Sequence, residues 1–160
     1  LRDRDGADLE FAGVILAPEP VEQSQKEAVS LQAAELCSRL GWDAVIVTKE
    51  GAGNADADMS LKMDALEDMG ITAVGIFAEM SGRDGEGPPI VVPPERATAM
   101  VSTGNYDERL LLPAVDRAVG GARLNIAAAD ATAEVEVPTA VILGSLSPLG
   151  WGRLTASAGA

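Results

Sequence analysis

Residues 43–58 read DAVIVTKEGAGNADAD, and this stretch decides the predicted fold. Residues 43–48 have the composition of a short apolar strand, and residues 56–69 carry apolar side chains at helical spacing. A strand that passes through a glycine-rich turn into a helix is typical of the βαβ units of a parallel sheet. The turn itself is densely polar, with Lys49, Glu50, Asn54, Asp56 and Asp58.

The same alternation continues on both sides of this stretch. Residues 11–17 (FAGVILA) predict a buried strand that ends at Pro18, and residues 21–40 predict a helix that ends at Gly41. Residues 71–78 and 99–103 predict two more strands. We therefore predict an α/β fold with an open, mostly parallel sheet and helices on both faces, as in flavodoxin-like and Rossmann-like proteins.

The C-terminal third has a weaker pattern. Residues 109–113 favour an extended segment, 115–119 either extend it or form a turn of helix, and 124–133 favour a short helix or a linker. Residues 134–143 alternate and then become apolar, which favours a strand with a break at Pro138. These segments can add strands to the sheet. We expect one domain over residues 1–160, with flexible ends at 1–10 and 155–160.

Composition excludes several classes of function. The chain has 25 acidic and 12 basic residues, a net charge of −13, which argues against nucleic acid and anionic membranes as partners. No apolar run approaches the roughly 18 residues of a membrane span. The chain has no histidine, which excludes Ser-His-Asp and Cys-His catalysis, and makes a zinc site unlikely. Its single cysteine, Cys37, fits a small buried side chain on the first helix. We expect a soluble, cytoplasmic protein.

The polar loops that follow the strands are the candidate site. Ligands of open α/β sheets bind beyond the carboxyl ends of the strands. Besides the 49–54 loop, this rule selects 18–20, 79–85 and Gly104-Asn105. Asn54 or Asp56 can also cap the second helix. A calcium loop that starts at Asn54 lacks its glycine and its final glutamate, and the third glycine of a dinucleotide fingerprint is replaced by Asp56. No metal site is predicted.

In these loops the sequence resembles one family. The motifs occur in order: 15–20 (ILAPEP), 47–58 (VTKEGAGNADAD), 81–85 (SGRDG), 103–105 (TGN), and Leu112-Pro113 with Gly120. They are similar to those of the substrate-binding component B proproteins of glycine, sarcosine and betaine reductases, and of the related D-proline reductase. The resemblance covers roughly residues 11–121, and it follows 144–155 more loosely.

The resemblance implies a chemistry and a cofactor. Proproteins of this family cleave themselves and leave a covalent pyruvoyl group at the N-terminus of the C-terminal fragment. That carbonyl forms a Schiff base with the substrate's amino nitrogen, and a thiol or selenol then displaces the amine. This chain resembles the C-terminal fragment and does not begin with methionine, so we expect the pyruvoyl group immediately before Leu1.

The resemblance also suggests roles for the loop residues. Lys49 and Arg83 are expected to hold a substrate carboxylate or oxyanion, with Asn54 and Asn105 orienting the substrate. Glu50, Asp56 or Asp84 would transfer protons. Gly51 would let the backbone approach the ligand. Internal salt bridges in Lys49-Glu50 and Arg83-Asp84 are the alternative.

Two functions stay open at this stage. The first is a subunit of a pyruvoyl-dependent reductase-like enzyme that cleaves a C–N bond of a small amino-acid-like substrate. Its partners would be the N-terminal fragment of the same proprotein and a protein that carries a thiol or selenol. The second is a non-catalytic α/β subunit that binds a small ligand or acts as a scaffold.

Overall fold

A computed structural model describes residues 6–49, 51–97, 99–119, 121–124 and 129–141. Two α-helices and three parallel strands form its main body. In chain order the elements of the described residues are α1 (Gln23–Arg39), β1 (Ala44–Thr48), α2 (Asn54–Asp68), β2 (Thr72–Glu79), β3 (Ala99–Asn105), β4 (Arg109–Leu112), β5 (Arg123–Leu124), β6 (Ala129–Asp130), β7 (Val135–Pro138) and a 3-10 turn at Thr139–Val141.

The central sheet is parallel, with the order β1-β2-β3. Thr48 of β1 lies opposite Ile76 of β2, and Ile76 lies opposite Val101 of β3. The strands are short, apolar and β-branched, and α2 makes the crossover from β1 to β2. The predicted α/β fold with a parallel sheet is confirmed.

The core lies between α2 and one face of the sheet. Met59 and Met63 of α2 are 1% and 0% exposed and belong to one cluster with Ala73 and Phe77 of β2. Gly75 permits this close approach, because a Cβ atom on it would lie 2.9 Å from the Met63 sulfur. The helix can therefore pack against the backbone of the central strand.

Helix α1 packs on the same side as α2. Its buried residues Ala34 and Cys37 join the core cluster that contains Val47, Ala73 and Phe77. Residues that alternate with these along the strands, such as Ile46 and Val101, are outside that cluster and exposed. Helices were predicted on both faces, whereas both helices of the described residues lie on one.

Residues 11–17 do not form the predicted buried strand. The segment contains no strand residues, Leu16 is 93% exposed, and Phe11 is 59% exposed. Ile15 contacts the core. Gly13 lies close to Trp42, because a Cβ atom on Gly13 would lie 3.1 Å from the Trp42 ring. The segment is apolar, as the sequence shows. A buried strand must also pair with a neighbouring strand and be covered on both sides, whereas only one side of this segment contacts the core.

The C-terminal third forms two small antiparallel pairs, β4–β7 and β5–β6. Extra strands were expected here, and β4 matches the extended segment predicted at 109–113. Residues 124–133 were predicted as a short helix or linker, but Leu124 ends β5 and Ala129–Asp130 forms β6. The described part of 115–119 is neither strand nor helix.

The strand predicted at 134–143 is shorter in the structure. It ends at Pro138 and continues as a 3-10 turn to Val141, because proline has no N–H for the ladder. Residues 142 and 143 lie outside the described residues, as do residues 1–5 and 155–160 of the predicted flexible ends. No helix among the described residues is both long and apolar enough to span a bilayer.

Candidate functional site

The carboxyl ends of the three parallel strands lie at one edge of the sheet. Lys49 follows β1, Glu79 ends β2 and Asn105 ends β3. The strands are neighbours in this order, so their loops share a rim, as the sequence predicted for three of the four loops. The fourth loop lacks its strand, but Pro20 reaches the start of α2, where its carbonyl accepts a hydrogen bond of 3.4 Å from Asn54 Nδ2.

Lys49 and Asp56 form a buried ion pair at the β1 end of this rim. Lys49 Nζ lies 2.7 Å from Asp56 Oδ1, and the residues are 3% and 1% exposed. The ammonium also donates to the Gly51 carbonyl at 2.7 Å and lies 5.6 Å from the centre of the Phe77 ring. Buried charges of this kind need such partners, because desolvation would otherwise dominate.

The second carboxylate oxygen of Asp56 ties two loops together. Oδ2 accepts the backbone N–H groups of Gly53 at 3.1 Å and of Val91 at 2.9 Å. Gly53 has φ of 64° and precedes the first helical residue, Asn54, so Asp56 fulfils the capping role that the sequence predicted. One side chain thus holds both the 49–53 loop and the loop that follows β2.

A second buried ion pair joins α1 and α2, and no pattern in the sequence predicted it. Lys26 of α1 forms a short contact with Asp58 of α2, and these residues are 3% and 0% exposed. Lys62 adds a contact of 3.5 Å to Asp58. The partners are 32 residues apart, which no local pattern reveals. Asp56 and Asp58, which resemble metal ligands in the sequence, are each neutralised by lysine.

Asn105 fastens the loop that contains the Gly-Arg-Asp-Gly motif. Its Oδ1 accepts the Ser81 N–H at 3.3 Å and its Nδ2 donates to the Gly82 carbonyl at 2.7 Å. Asp84 is exposed and accepts the N–H of Glu86 at 3.2 Å. Arg83 is exposed and makes no side-chain hydrogen bond or ion pair within the described residues. The predicted alternative of an Arg83–Asp84 salt bridge does not occur.

Glu79 is a rim residue to which sequence reasoning assigned no role. One of its carboxylate oxygens accepts a short hydrogen bond from the Ser102 hydroxyl, and the other lies 3.4 Å from the Ser81 hydroxyl. Its backbone carbonyl accepts the Tyr106 N–H at 2.9 Å. The two hydroxyls orient this partly exposed carboxylate at the carboxyl end of β2. Its position as the last polar residue of a strand was the available signal.

The remaining predicted residues fall into two groups. Leu1 and Glu50 lie outside the described residues. Gly51 has φ of 86° and Asn54 is exposed at the first position of α2, so both lie on the rim. Loop 80–97 joins the two halves of the rim, since it is bound to Asp56 at Val91 and to Asn105 at Gly82.

Cys37 is part of the hydrophobic core and is not one of the polar residues of the rim. It is 3% exposed and belongs to the hydrophobic core, as predicted. Burial raises the pKa of its thiol, which keeps it protonated. Within the described part of the chain, no group of three or more acidic or cysteine side chains is arranged to hold a metal ion.

Comparison with known proteins identifies relatives along almost the whole chain. Residues 1–157 match the family model for glycine/sarcosine/betaine reductase component B subunits. Glycine reductase complex component B subunits alpha and beta of Peptoclostridium acidaminophilum are 35% identical over 160 residues, which cover 94% of this chain and 37% of that protein.

Two further relatives come from the same organism. Betaine reductase complex component B subunit alpha is 40% identical over 115 residues, which cover 72% of this chain and 26% of that protein. Sarcosine reductase complex component B subunit alpha is 35% identical over 120 residues, which cover 75% of this chain and 28% of that protein. The chain therefore matches between about a quarter and little more than a third of the length of these relatives. No solved structure matches the chain.

Proposed function

Because the chain belongs to the family of glycine/sarcosine/betaine reductase component B subunits, we propose that it is a subunit of a pyruvoyl-dependent reductase-like enzyme. It would bind an amino-acid-like substrate as a Schiff base and promote reductive cleavage of a C–N bond. The observation that carries the proposal is the family match over residues 1–157, which includes every loop of the rim.

The rim residues are chemically suited to a carbonyl cofactor. A pyruvoyl group supplies an electrophilic carbonyl that captures the amino nitrogen of the substrate. Such a capture needs two kinds of group. One kind exchanges protons with the reacting atoms, and the other is a cation that binds the substrate's carboxylate. The rim offers Glu79 between two hydroxyls for the first task and Arg83 for the second. The residue just before Leu1 is the proposed origin of the pyruvoyl group.

Arg83 is the best candidate for binding the substrate carboxylate. It is exposed, and its guanidinium has no competing partner within the described residues. Asn105 holds the backbone just before it through Ser81 and Gly82, which limits the motion of the loop. A guanidinium on a fixed loop can bind a carboxylate through two parallel hydrogen bonds.

Lys49 and Asp56 take a supporting part in this proposal. They are buried and bound to each other, so they shape the rim and keep Gly51 and Asn54 in place beside it. Asp84 and Glu79 are carboxylates on the described rim with access to solvent, and they would move protons to and from the amine. Glu50 keeps its predicted role as an alternative proton donor.

The reaction requires two partners. Reductive cleavage needs two electrons, and Cys37 is too deeply buried to supply them, so a thiol or selenol of another protein would act as the reductant. The other partner would be the N-terminal fragment of the same proprotein, which would remain associated with this chain.

Trapping with borohydride tests the proposal. The assembled protein is incubated with a small amino acid, glycine, sarcosine or betaine in turn, and reduced with borohydride; intact mass and peptide mapping follow. We expect glycine and sarcosine, which have a hydrogen on nitrogen, to leave a stable secondary or tertiary amine at the residue that precedes Leu1. Betaine cannot form this adduct and is the matched control. A chain whose mass is unchanged by borohydride contains no such carbonyl, and the proposal then fails.

One observation favours the non-catalytic alternative. Much of the apolar surface of this chain is exposed, including Leu16 and Val101, which is typical of a subunit that organises an assembly. A scaffold would give no borohydride adduct but would still associate with its partner, so the same experiment separates the two functions.

A further inference from the structure

The helices of the described residues cover one face of the central sheet and leave the other without a helix. Side chains of Val47, Ala73 and Phe77 point into the core that α1 and α2 cover. The alternating residues Ile46, Val74, Ile76 and Val101 form the other face, which we call the open face. Ile76 and Ala78 on the central strand are buried, at 9% and 3% exposed, so the exposed part of this face lies on the flanking strands, where Ile46 and Val101 are 41% and 51% exposed.

An open apolar face is unusual for a parallel sheet. Parallel sheets occur almost only where both faces are covered, usually by helices. The described residues provide helices for one face alone. The open face is built from aliphatic side chains on all three strands, so it has the composition of an interior surface rather than of a solvated one.

A second exposed apolar segment points to the same conclusion. In residues 11–17, Ile15 contacts the core, while its flanking residues Val14 and Leu16 are 73% and 93% exposed. Successive side chains of an extended segment point in opposite directions, so Val14 and Leu16 face away from the core of this chain. Their burial requires a surface that the described residues do not provide.

The length of the relatives indicates what covers the open face. This chain corresponds to 37% of the glycine reductase component B protein and to 26% of the betaine reductase subunit. We propose that the open face binds the polypeptide that corresponds to the remainder of these relatives, here called the companion chain, through helices with an apolar stripe. This inference rests on the assembly part of the proposed function and does not depend on the pyruvoyl group.

Charge argues for the companion chain over a second copy of this chain. Each copy carries 25 acidic and 12 basic residues, so a dimer of this chain would bring together two molecules that each have a net charge of −13. A companion chain with lysines and arginines around its apolar stripe would complement this charge.

Site-specific photocrosslinking in the assembled protein tests the proposal. Val101, Ile46 and Leu31 are each replaced by photoreactive benzoylphenylalanine in the complete family protein of the source organism. Leu31 is the control, because it is 49% exposed, similar to Val101, but lies on α1 and away from the open face. After irradiation, peptide mapping identifies the linked partner at each position.

We expect positions 101 and 46 to link to peptides of the companion chain, and position 31 to give at least about tenfold less of that product, because a side chain outside the contact rarely meets the partner. Links from 101 and 46 to residues 142–160 or to a second copy, or no links at all, would overturn the proposal. If the Val101 variant does not fold, the Ile46 variant tests the proposal by itself. The crosslinking experiment uses neither an amine substrate nor borohydride. A negative crosslinking result can therefore be distinguished from a failure of the proposed carbonyl chemistry.

Discussion

Asp56 is the residue on which the two main loops of the rim converge. Its carboxylate binds Lys49 and the N–H groups of Gly53 and Val91 while it is 1% exposed. The capping role of Asp56 was predicted from the sequence, because an acidic residue in the first turn of a helix is a local pattern. The sequence did not predict Val91 as a partner, because 35 residues separate the two in the chain.

Replacement of Asp56 should therefore be costly. We expect Asp56→Asn to lower the free energy of unfolding by about 3 kcal/mol, because it leaves the buried Lys49 ammonium without a counter-ion. Urea denaturation followed by circular dichroism measures the change. Lys49→Met combined with Asp56→Asn should cost less than the sum of the single changes. The exposed Asp84→Asn is the control, with a change within about 0.5 kcal/mol; equal losses in the two variants would refute the role of the buried pair.

Cys37 should be unreactive in the folded protein. Burial raises the pKa of its thiol above the ordinary value of 9.0, so the thiolate is scarce at neutral pH and the sulfur is inaccessible. The folded state holds this proton more tightly than the unfolded state does. This contribution to stability is complete below the unfolded pKa and is lost as pH rises through the raised folded value.

Thiol labelling checks this expectation. We expect Cys37 to react with an aromatic disulfide at least about a hundredfold more slowly than an exposed cysteine introduced as Ser38→Cys in a Cys37→Ala background. Urea should remove the difference. Similar labelling rates for both cysteines in the folded protein would show that Cys37 is accessible.

Arg83 is the residue whose loss should affect substrate binding most directly. If it binds the carboxylate, Arg83→Gln should raise KM by about tenfold to a hundredfold with a smaller effect on kcat, since a charged hydrogen bond contributes about 1.5–3 kcal/mol. Arg83→Lys should recover part of the loss. Arg109→Gln is the control, because Arg109 pairs with Glu136 on the β4–β7 pair. An unchanged KM for Arg83→Gln would remove this residue from the site.

At the scale of elements, α2 does more than cover the sheet. Its Asp64 accepts the backbone N–H groups of Glu95, Arg96 and Ala97 at 3.0, 2.7 and 3.3 Å, and its Ser60 hydroxyl donates to the Val92 carbonyl. Together with Asp56 these contacts fix the long connection between β2 and β3 along the helix. Polar residues that appear in the sequence as an exposed helix surface thus order a loop without regular structure.

Removal of Asp64 should release this connection. We expect Asp64→Ala to cost about 1 kcal/mol, because the N–H groups can bind water instead, and to accelerate hydrogen exchange of residues 95–97. Exchange measured by mass spectrometry on peptides of this loop provides the check. Asp64→Asn keeps one acceptor oxygen and should have a smaller effect. Unchanged exchange in Asp64→Ala would show that the loop is held by other contacts.

Prediction of the elements was most successful where the pattern is local. The β1–α2–β2 unit was predicted to within two residues of its observed bounds, because strand composition, glycines and helical spacing all agree within 35 residues. Residues 11–17 have an equally apolar pattern but form no strand, because pairing and cover come from distant chain. Residues 124–133 were predicted as a short helix or a linker because alanine favours helix, whereas Ala129–Asp130 pairs with Arg123–Leu124 as an antiparallel strand.

At the scale of the whole molecule, the open face should control assembly. We expect Val101→Lys to weaken association with the companion chain by about tenfold or more, because a half-exposed valine is exchanged for a charge that must be desolvated. Size-exclusion chromatography of the co-expressed chains over a dilution series measures this change. Leu31→Lys on α1 is the matched control. If both lysine variants assemble as the unmodified protein does, the open face is not the interface.

The sequence by itself determined the fold class, the family and the edge of the sheet where the polar loops gather, because these depend on short-range patterns and on motifs in fixed order. Only the tertiary structure decided that Lys49 and Lys26 neutralise Asp56 and Asp58, that Glu79 lies between two hydroxyls, and that both helices cover one face. The physical reason is that side-chain pairing and burial depend on residues distant in sequence, such as Lys26 and Asp58 at 32 positions or Asp56 and Val91 at 35, which meet only after the chain has folded.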